Sequence, residues 1–139
     1  MADIAVTAAQ VALLDPRKAE ILSFIATEAI EAGQAVYILS TGKAGVAGAA
    51  TAGKQQARGL ALNKVAAGQP VDVVKRGAVA GFTLSGQNAD TRVFLSNTLG
   101  AVADAAGTAS VPVGRVMTTT DKSASKFIYF DFSWTDQWS

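Results

Sequence analysis

Lys126-Phe127-Ile128-Tyr129-Phe130-Asp131-Phe132-Ser133-Trp134-Thr135 alternates from Ile128 onward. Ile128, Phe130, Phe132 and Trp134 fall on one side; Tyr129, Asp131, Ser133 and Thr135 fall on the other. A side-chain period of two, rich in aromatics, predicts a half-buried β-strand. Each large side chain on the apolar face contributes ~1.5–3 kcal/mol when buried.

Working back from this stretch, three shorter segments read the same way. They are Ala35-Val36-Tyr37-Ile38-Leu39-Ser40, Pro70-Val71-Asp72-Val73-Val74 and Arg92-Val93-Phe94-Leu95-Ser96. The first two share a lead-in, Ala32-Gly33-Gln34 and Ala67-Gly68-Gln69. Each of the three is followed by a glycine-containing segment: Thr41 to Gly45, Arg76-Gly77, and Asn97 to Gly100. Glycine supplies the positive φ of tight turns, so these segments are expected to end the strands.

A longer echo joins residues 36–62 to residues 93–117. Each stretch runs from a strand ending in Leu-Ser, through small residues, to a glycine-bearing strand: Arg58-Gly59-Leu60-Ala61 in the first, Val113-Gly114-Arg115-Val116 in the second. Ser40 matches Ser96, and Gly59 matches Gly114, at nearly equal separations. Two similar β-units are therefore expected within one small barrel or sandwich of short antiparallel strands. Residues 45–53 and 101–110 are rich in Ala, Gly and Thr. They are expected as exposed loops or weak edge strands, since small side chains bury little area.

The start of the chain allows two readings. Asp15-Pro16 could open a helix as N-cap and first helical residue. Alternatively, residues 10–14 and 19–26 form a hairpin around Asp15-Pro16-Arg17-Lys18. The hairpin is preferred, because the rest of the chain is β. Residues 1–9 are expected as an extended arm on a single β domain spanning 10–139. Ile4, Val6, Val11 and Leu13 make this end apolar, and such a segment can add a strand to a partner's sheet edge.

Composition narrows the chemistry. Of 139 residues, half are apolar and 17% charged, as in one folded domain. Twelve basic and eleven acidic side chains leave a net charge of +1, with no basic run to follow a nucleic-acid backbone. The chain lacks Cys, so it has neither disulfides nor thiolate sites. It also lacks His, the commonest general acid/base and metal ligand. No signal peptide and no apolar run long enough to span a membrane is visible. The expectation is a non-enzymatic protein made in the cytoplasm, with no cofactor, no metal, and no nucleic-acid or membrane partner.

Gly48-Ala49-Ala50-Thr51-Ala52-Gly53-Lys54 has the glycine and lysine spacing of a phosphate-binding loop. Gln55 stands where a hydroxyl should bind magnesium, and both flanks are Ala/Gly-rich where such a loop joins a buried parallel strand to a helix, so a flexible loop is the expectation. Glu28, Glu31 and Asp131 read as surface charges. Gln87-Asn88-Ala89-Asp90 reads as a turn rather than a calcium loop. Trp134 reads as core by alternation. Trp138, near the end, is expected to dock on its own domain or on a neighbouring subunit.

Ala29-Ile30-Glu31-Ala32-Gly33-Gln34-Ala35-Val36-Tyr37-Ile38, Arg58-Gly59-Leu60-Ala61 and Ala67-Gly68-Gln69-Pro70-Val71-Asp72-Val73 resemble segments of the small decoration (cement) proteins of tailed-phage heads. The resemblance spans roughly residues 10–117. It implies a β-rich, non-catalytic domain that trimerises on the outer capsid and bridges major-capsid subunits. The expected interface residues are Ile4, Val6, Val11, Leu13, Trp134 and Trp138. The alternative is a receptor- or glycan-binding module of a tail fibre or spike, using Tyr37, Trp134 and Trp138. A third reading, a carboxylate-based hydrolase of a cell-wall polymer, needs a carboxylate pair in a cleft that no spacing here announces.

Overall fold

The computed structural model describes residues 3–118 and 126–138. It is all-β. The strands are β1 (Ala12–Leu13), β2 (Glu20–Ile25), β3 (Ala35–Ile38), β4 (Ala44–Val46), β5 (Ala57–Ala61), β6 (Pro70–Ala80), β7 (Arg92–Leu95), β8 (Val102–Ala103), β9 (Pro112–Thr118) and β10 (Lys126–Asp131). They form one antiparallel sheet in the order β4-β3-β5-β6-β10-β9-β7-β8, with β1 and β2 both laid along β6. The sheet curls into a half-barrel. Backbone bonds tie its two ends: Gly100 N–H donates to Ala47 C=O at 2.6 Å, and Ala49 N–H to Ser96 C=O at 2.9 Å.

The strand order reads the same from either end, and the repeated units are the reason. In the first unit β3 lies between β4 and β5; in the second β7 lies between β8 and β9. Both units carry a bulge on the pairing to their third strand, one between Val36 and Tyr37, the other between Val93 and Phe94. The shared lead-in is also a repeated local structure. Gly33 and Gly68 sit at φ +91° and +87°, a region only glycine occupies freely. Gln34 Oε1 accepts from Glu31 N–H, and Gln69 Oε1 from Ala66 N–H, both at 3.0 Å.

The inward face is the main core. Leu60, Val74, Val79, Val93, Leu95, Val116, Ile128, Phe130 and Phe132 are buried there. Phe130 stacks on Phe132 at 5.5 Å and tilts against Phe82 at 5.6 Å. The alternation expected of the last strand holds through Phe132, but the strand ends at Asp131. Trp134 lies past it in a bend and is 40% exposed, not core.

A second core occupies the outer face of the first unit. Ala26, Ile30, Val36, Val46, Ala61, Val71 and Val73 pack there, with Phe24 and Ile38 against them. The covering segment runs from β2 to Gly33. It is held by an Ala26–Ala44 bridge and an Ile30–Val65 bridge.

Several expectations need correction. Arg76-Gly77 is not a turn: β6 runs eleven residues through it. Glycine is needed there for space, since a Cβ would sit 2.8 Å from Ala19 Cβ. Asp15 does cap a turn, accepting from Arg17 N–H at 3.1 Å, but that turn is a 3-10 turn, Pro16–Lys18, and no helix follows. Nor do β1 and β2 form a hairpin with each other, because both pair with β6. The small-residue stretches do supply short edge strands, β4 and β8 at the two ends of the sheet order, but they are not exposed. Ala44 to Ala49, Val102, Ala103 and Ala109 are buried, because small side chains let the two sheet ends approach closely. Lastly, residues 3–7 are extended but lie on the body rather than reaching away from it. Ile4 N–H donates to Val102 C=O, and Thr7 N–H to Gly81 C=O, both at 2.8 Å. Residues 1 and 2 lie outside the described residues.

Candidate functional site

Two surface regions stand out from a fold whose inner face is closed. The first is β2. Edge strands normally blunt themselves with charge, proline or a bulge that turns the edge away, because free N–H and C=O groups invite another chain. β2 reads Glu20-Ile21-Leu22-Ser23-Phe24-Ile25, with one charge and no proline. One side pairs with β6 from Ile25–Pro70 to Glu20–Arg76. Among the described residues the other side has no strand partner; only the Ala26–Ala44 bridge closes its end.

Side chains on both faces of β2 meet solvent. Ile21 and Ile25 are each 43% exposed on one face, and Leu22 is 38% exposed on the other. Beside Leu22, Phe24 forms one wall of a groove of about 240 Å³ completed by Ile38, Arg58 and Trp134.

Arg58 organises the end of the chain. Its guanidinium donates to Ser133 C=O at 2.7 Å and to Asp136 C=O at 3.1 Å, and lies over the Trp138 ring at 5.5 Å. Its own carbonyl accepts from the Trp134 indole N–H at 2.6 Å. Gln56 adds a reciprocal pair with the Trp138 backbone, its Oε1 accepting at 3.0 Å while its amide donates to the carbonyl. The tail is thus anchored to β5, and Trp138 packs on the main core.

The expected interface residues separate accordingly. Ile4 is 6% exposed and belongs to the core. Val11 and Leu13 are partly buried against that core. Val6 is 39% exposed, yet it bridges Phe82 and lies over Gly33. Trp134 alone joins the β2 groove. Tyr37 faces the main core, where a Cβ on Gly45 would meet its ring at 2.8 Å, so it offers no exposed platform. Sequence reasoning missed Ile21, Leu22, Phe24 and Ile25. Their signal was a break in alternation: apolar residues stand at adjacent positions in a strand with only one structured neighbour.

The second region is the outer face of β7, β9 and β10. Arg92 stands directly opposite Arg115 in the β7–β9 ladder, and Arg115 opposite Tyr129 in the β9–β10 ladder. These three form one row across three strands. The row crosses an open groove of about 610 Å³ whose far end is the anchored tail, with Asp136 and Trp138. Asp131 edges the groove and accepts from Arg76 Nε at 3.2 Å. Arg76 also meets Glu20 at 3.2 Å, so it ties β2, β6 and β10 together. The hydrogen bond to Asp131, then the charges of Asp131 and Glu20, raise the Arg76 pKa above its ordinary value.

The remaining charged candidates are structural. Glu28 is not a solvated charge, because its carboxylate accepts from Val46 N–H at 3.1 Å and caps β4. Glu31 faces Lys64 at 3.8 Å on the surface. The phosphate-loop spacing folds as a turn whose Gly48 N–H donates to Lys54 C=O at 2.9 Å, so that amide is not free for an anion. Asp90 adopts a positive φ of 69° in the turn before β7. Among the described residues no cluster of His, Cys, Asp or Glu could hold a metal ion, and no helix is long and apolar enough to cross a membrane. No family model, curated protein or solved structure matches the chain.

Proposed function

We propose that this protein is a decoration (cement) protein of a tailed-phage head, binding the outside of the assembled capsid and bridging major-capsid subunits. The observation that carries the reading is β2: an apolar edge whose charge and pairing irregularity are confined to its Glu20 end, with exposed side chains on both faces, beside the Phe24–Trp134 groove. Such an edge accepts an extended partner segment through main-chain bonds, while alternate side chains fill flanking pockets. The resemblance supplies the partner, the virion surface and a homotrimer.

The adhesive role moves from the N-terminal arm to β2, because residues 3–7 already use their backbone groups within the chain. A ligand that binds only the assembled lattice stabilises it by mass action. A trimer holding several subunits gains further through effective concentration.

The test uses undecorated heads, the full chain, and the double variant Ile21→Lys/Ile25→Lys. Wild type is expected to bind and raise the melting temperature of the particle. The variant, altered only at exposed positions, is expected to fold normally, as its circular dichroism and melting curve would show, yet fail to bind. Absence of wild-type binding to heads, or undiminished binding by the folded variant, overturns the reading. Sedimentation at micromolar concentration tests the trimer.

A further inference from the structure

We infer that the groove on the outer face of β7, β9 and β10 binds an acidic saccharide, its carboxylate held between Arg92 and Arg115 and its sugar ring laid against Tyr129. This goes beyond the capsid reading and stands or falls independently of it, because β2 and this groove present different side chains.

The argument begins with the ladder. Arg92 and Arg115 are directly paired residues of neighbouring strands on the same open face. Like charges directly opposite each other destabilise a sheet. Arg115 is partly compensated by Asp90 at 3.5 Å. Arg92 lies over the Phe94 ring at 5.7 Å, and among the described residues no carboxylate pairs with it. Both guanidinium groups line the one groove: that of Arg115 is turned to Asp90, donating to its carbonyl at 2.8 Å, while that of Arg92 keeps a free fork that matches a carboxylate.

The neighbours of that fork decide what carries the carboxylate. Tyr129 continues the row and is 38% exposed, presenting an aromatic surface with a hydroxyl at its edge. Asp90, Asp131, Asp136 and Ser133 line the same groove. Carboxylates accept hydrogen bonds from hydroxyl groups, and the serine hydroxyl both donates and accepts. A sugar acid offers what these groups need: one carboxylate, several hydroxyls, and an apolar ring face to set against the aromatic. The groove volume falls in the range of ~300–1,000 Å³ typical of small-ligand sites.

An acidic peptide fits less well. Its repeated negative charges would meet three aspartates, and its amides would leave those carboxylates with few hydroxyl donors.

The experiment is titration of the isotope-labelled full chain with a trisaccharide carrying a single uronic acid and a trisaccharide carrying a single sialic acid. A neutral trisaccharide and a glutamate hexapeptide serve as controls, and NMR and calorimetry as readouts. At least one acidic saccharide is expected to shift the amides of Arg92, Arg115 and Tyr129 and to bind about tenfold or more tightly than the neutral sugar. Arg92→Gln, at an exposed position, is expected to reduce that affinity about tenfold with an unchanged fold. Tyr129→Ala tests the stacking contribution separately and is expected to weaken both acidic and neutral sugars. No binding of either acidic saccharide at millimolar concentration overturns the proposal. So does equal binding by Arg92→Gln, and so does preference for the glutamate peptide.

Discussion

The two β-units share strand order, yet their outer faces have opposite fates. Matching Ser40 to Ser96 without a gap places Val36 on Arg92, Ile38 on Phe94 and Ala61 on Met117, and sets Gly59 on Arg115, one residue past the Gly114 of the sequence echo, so that residues of the same sheet face coincide. Val36–Gly59 and Arg92–Arg115 are both directly paired across their ladders. In the first unit that face is apolar and is sealed by the segment from β2 to Gly33. In the second it carries two arginines, Tyr129 and Met117, and nothing among the described residues covers it. Duplicate geometry with unlike surfaces separates what the fold requires from what it leaves free. The inner face is shared and structural. One outer face is closed by the chain itself, and the other is open to a ligand.

The largest effect expected from this contrast is at the shared inner face. Phe130 is fully buried between Phe82 and Phe132. Phe130→Ala is expected to cost about 3–5 kcal/mol, read as a drop in the denaturation midpoint with an unchanged slope. A loss below ~1 kcal/mol would mean that the inner face does not hold the two units together.

The sealed outer face comes next. A Cβ on Gly59 would lie 2.1 Å from Val73 Cγ1 and 3.0 Å from the Val74 carbonyl oxygen. Gly59→Ala therefore overpacks the second core and is expected to cost about 1–3 kcal/mol in chemical denaturation. A neutral outcome would show that Val73 and β6 give way at little cost, and that the second core is packed more loosely than its burial implies.

Much of this contrast was written in local patterns. The alternation from Ile128 to Phe132 names the inner face correctly, because period two maps directly onto the sides of a sheet. The Ala-Gly-Gln lead-ins mark identical turns, because positive φ and a side-chain acceptor three residues away are local demands. What local patterns could not carry was partnership. Asp15-Pro16 announces a turn, but nothing nearby says that β1 and β2 will both choose β6. Gly77 looks like a turn residue, although its reason is the Ala19 side chain far away in sequence. The small residues from Ala44 to Ala49 look like a loop until the opposite sheet end arrives to bury them. The arginine fork is invisible for the same reason: Arg92 and Arg115 meet only once the β7–β9 register is known.

The smallest effect is the sharpest test of the open face. Arg115 occupies the place of Gly59, and its ion pair with Asp90 has side chains 46% and 75% exposed. Exposed pairs of this kind contribute ~0–1 kcal/mol. Removing Arg115 also removes its repulsion with Arg92, which acts in the opposite direction. Arg115→Ala should therefore leave stability within about 0.5 kcal/mol of wild type, with either sign allowed. Salt supplies the discriminating second reading. The repulsion is screened over a Debye length of ~10 Å at 0.1 M ionic strength. If repulsion dominates, any advantage of the variant at low salt should shrink as salt rises. If the pair with Asp90 dominates, the variant should begin behind and draw level. A loss above ~1.5 kcal/mol at all salt concentrations would show that Arg115 is packed into the structure as firmly as Gly59 is, and the division into a sealed face and a working face would fail.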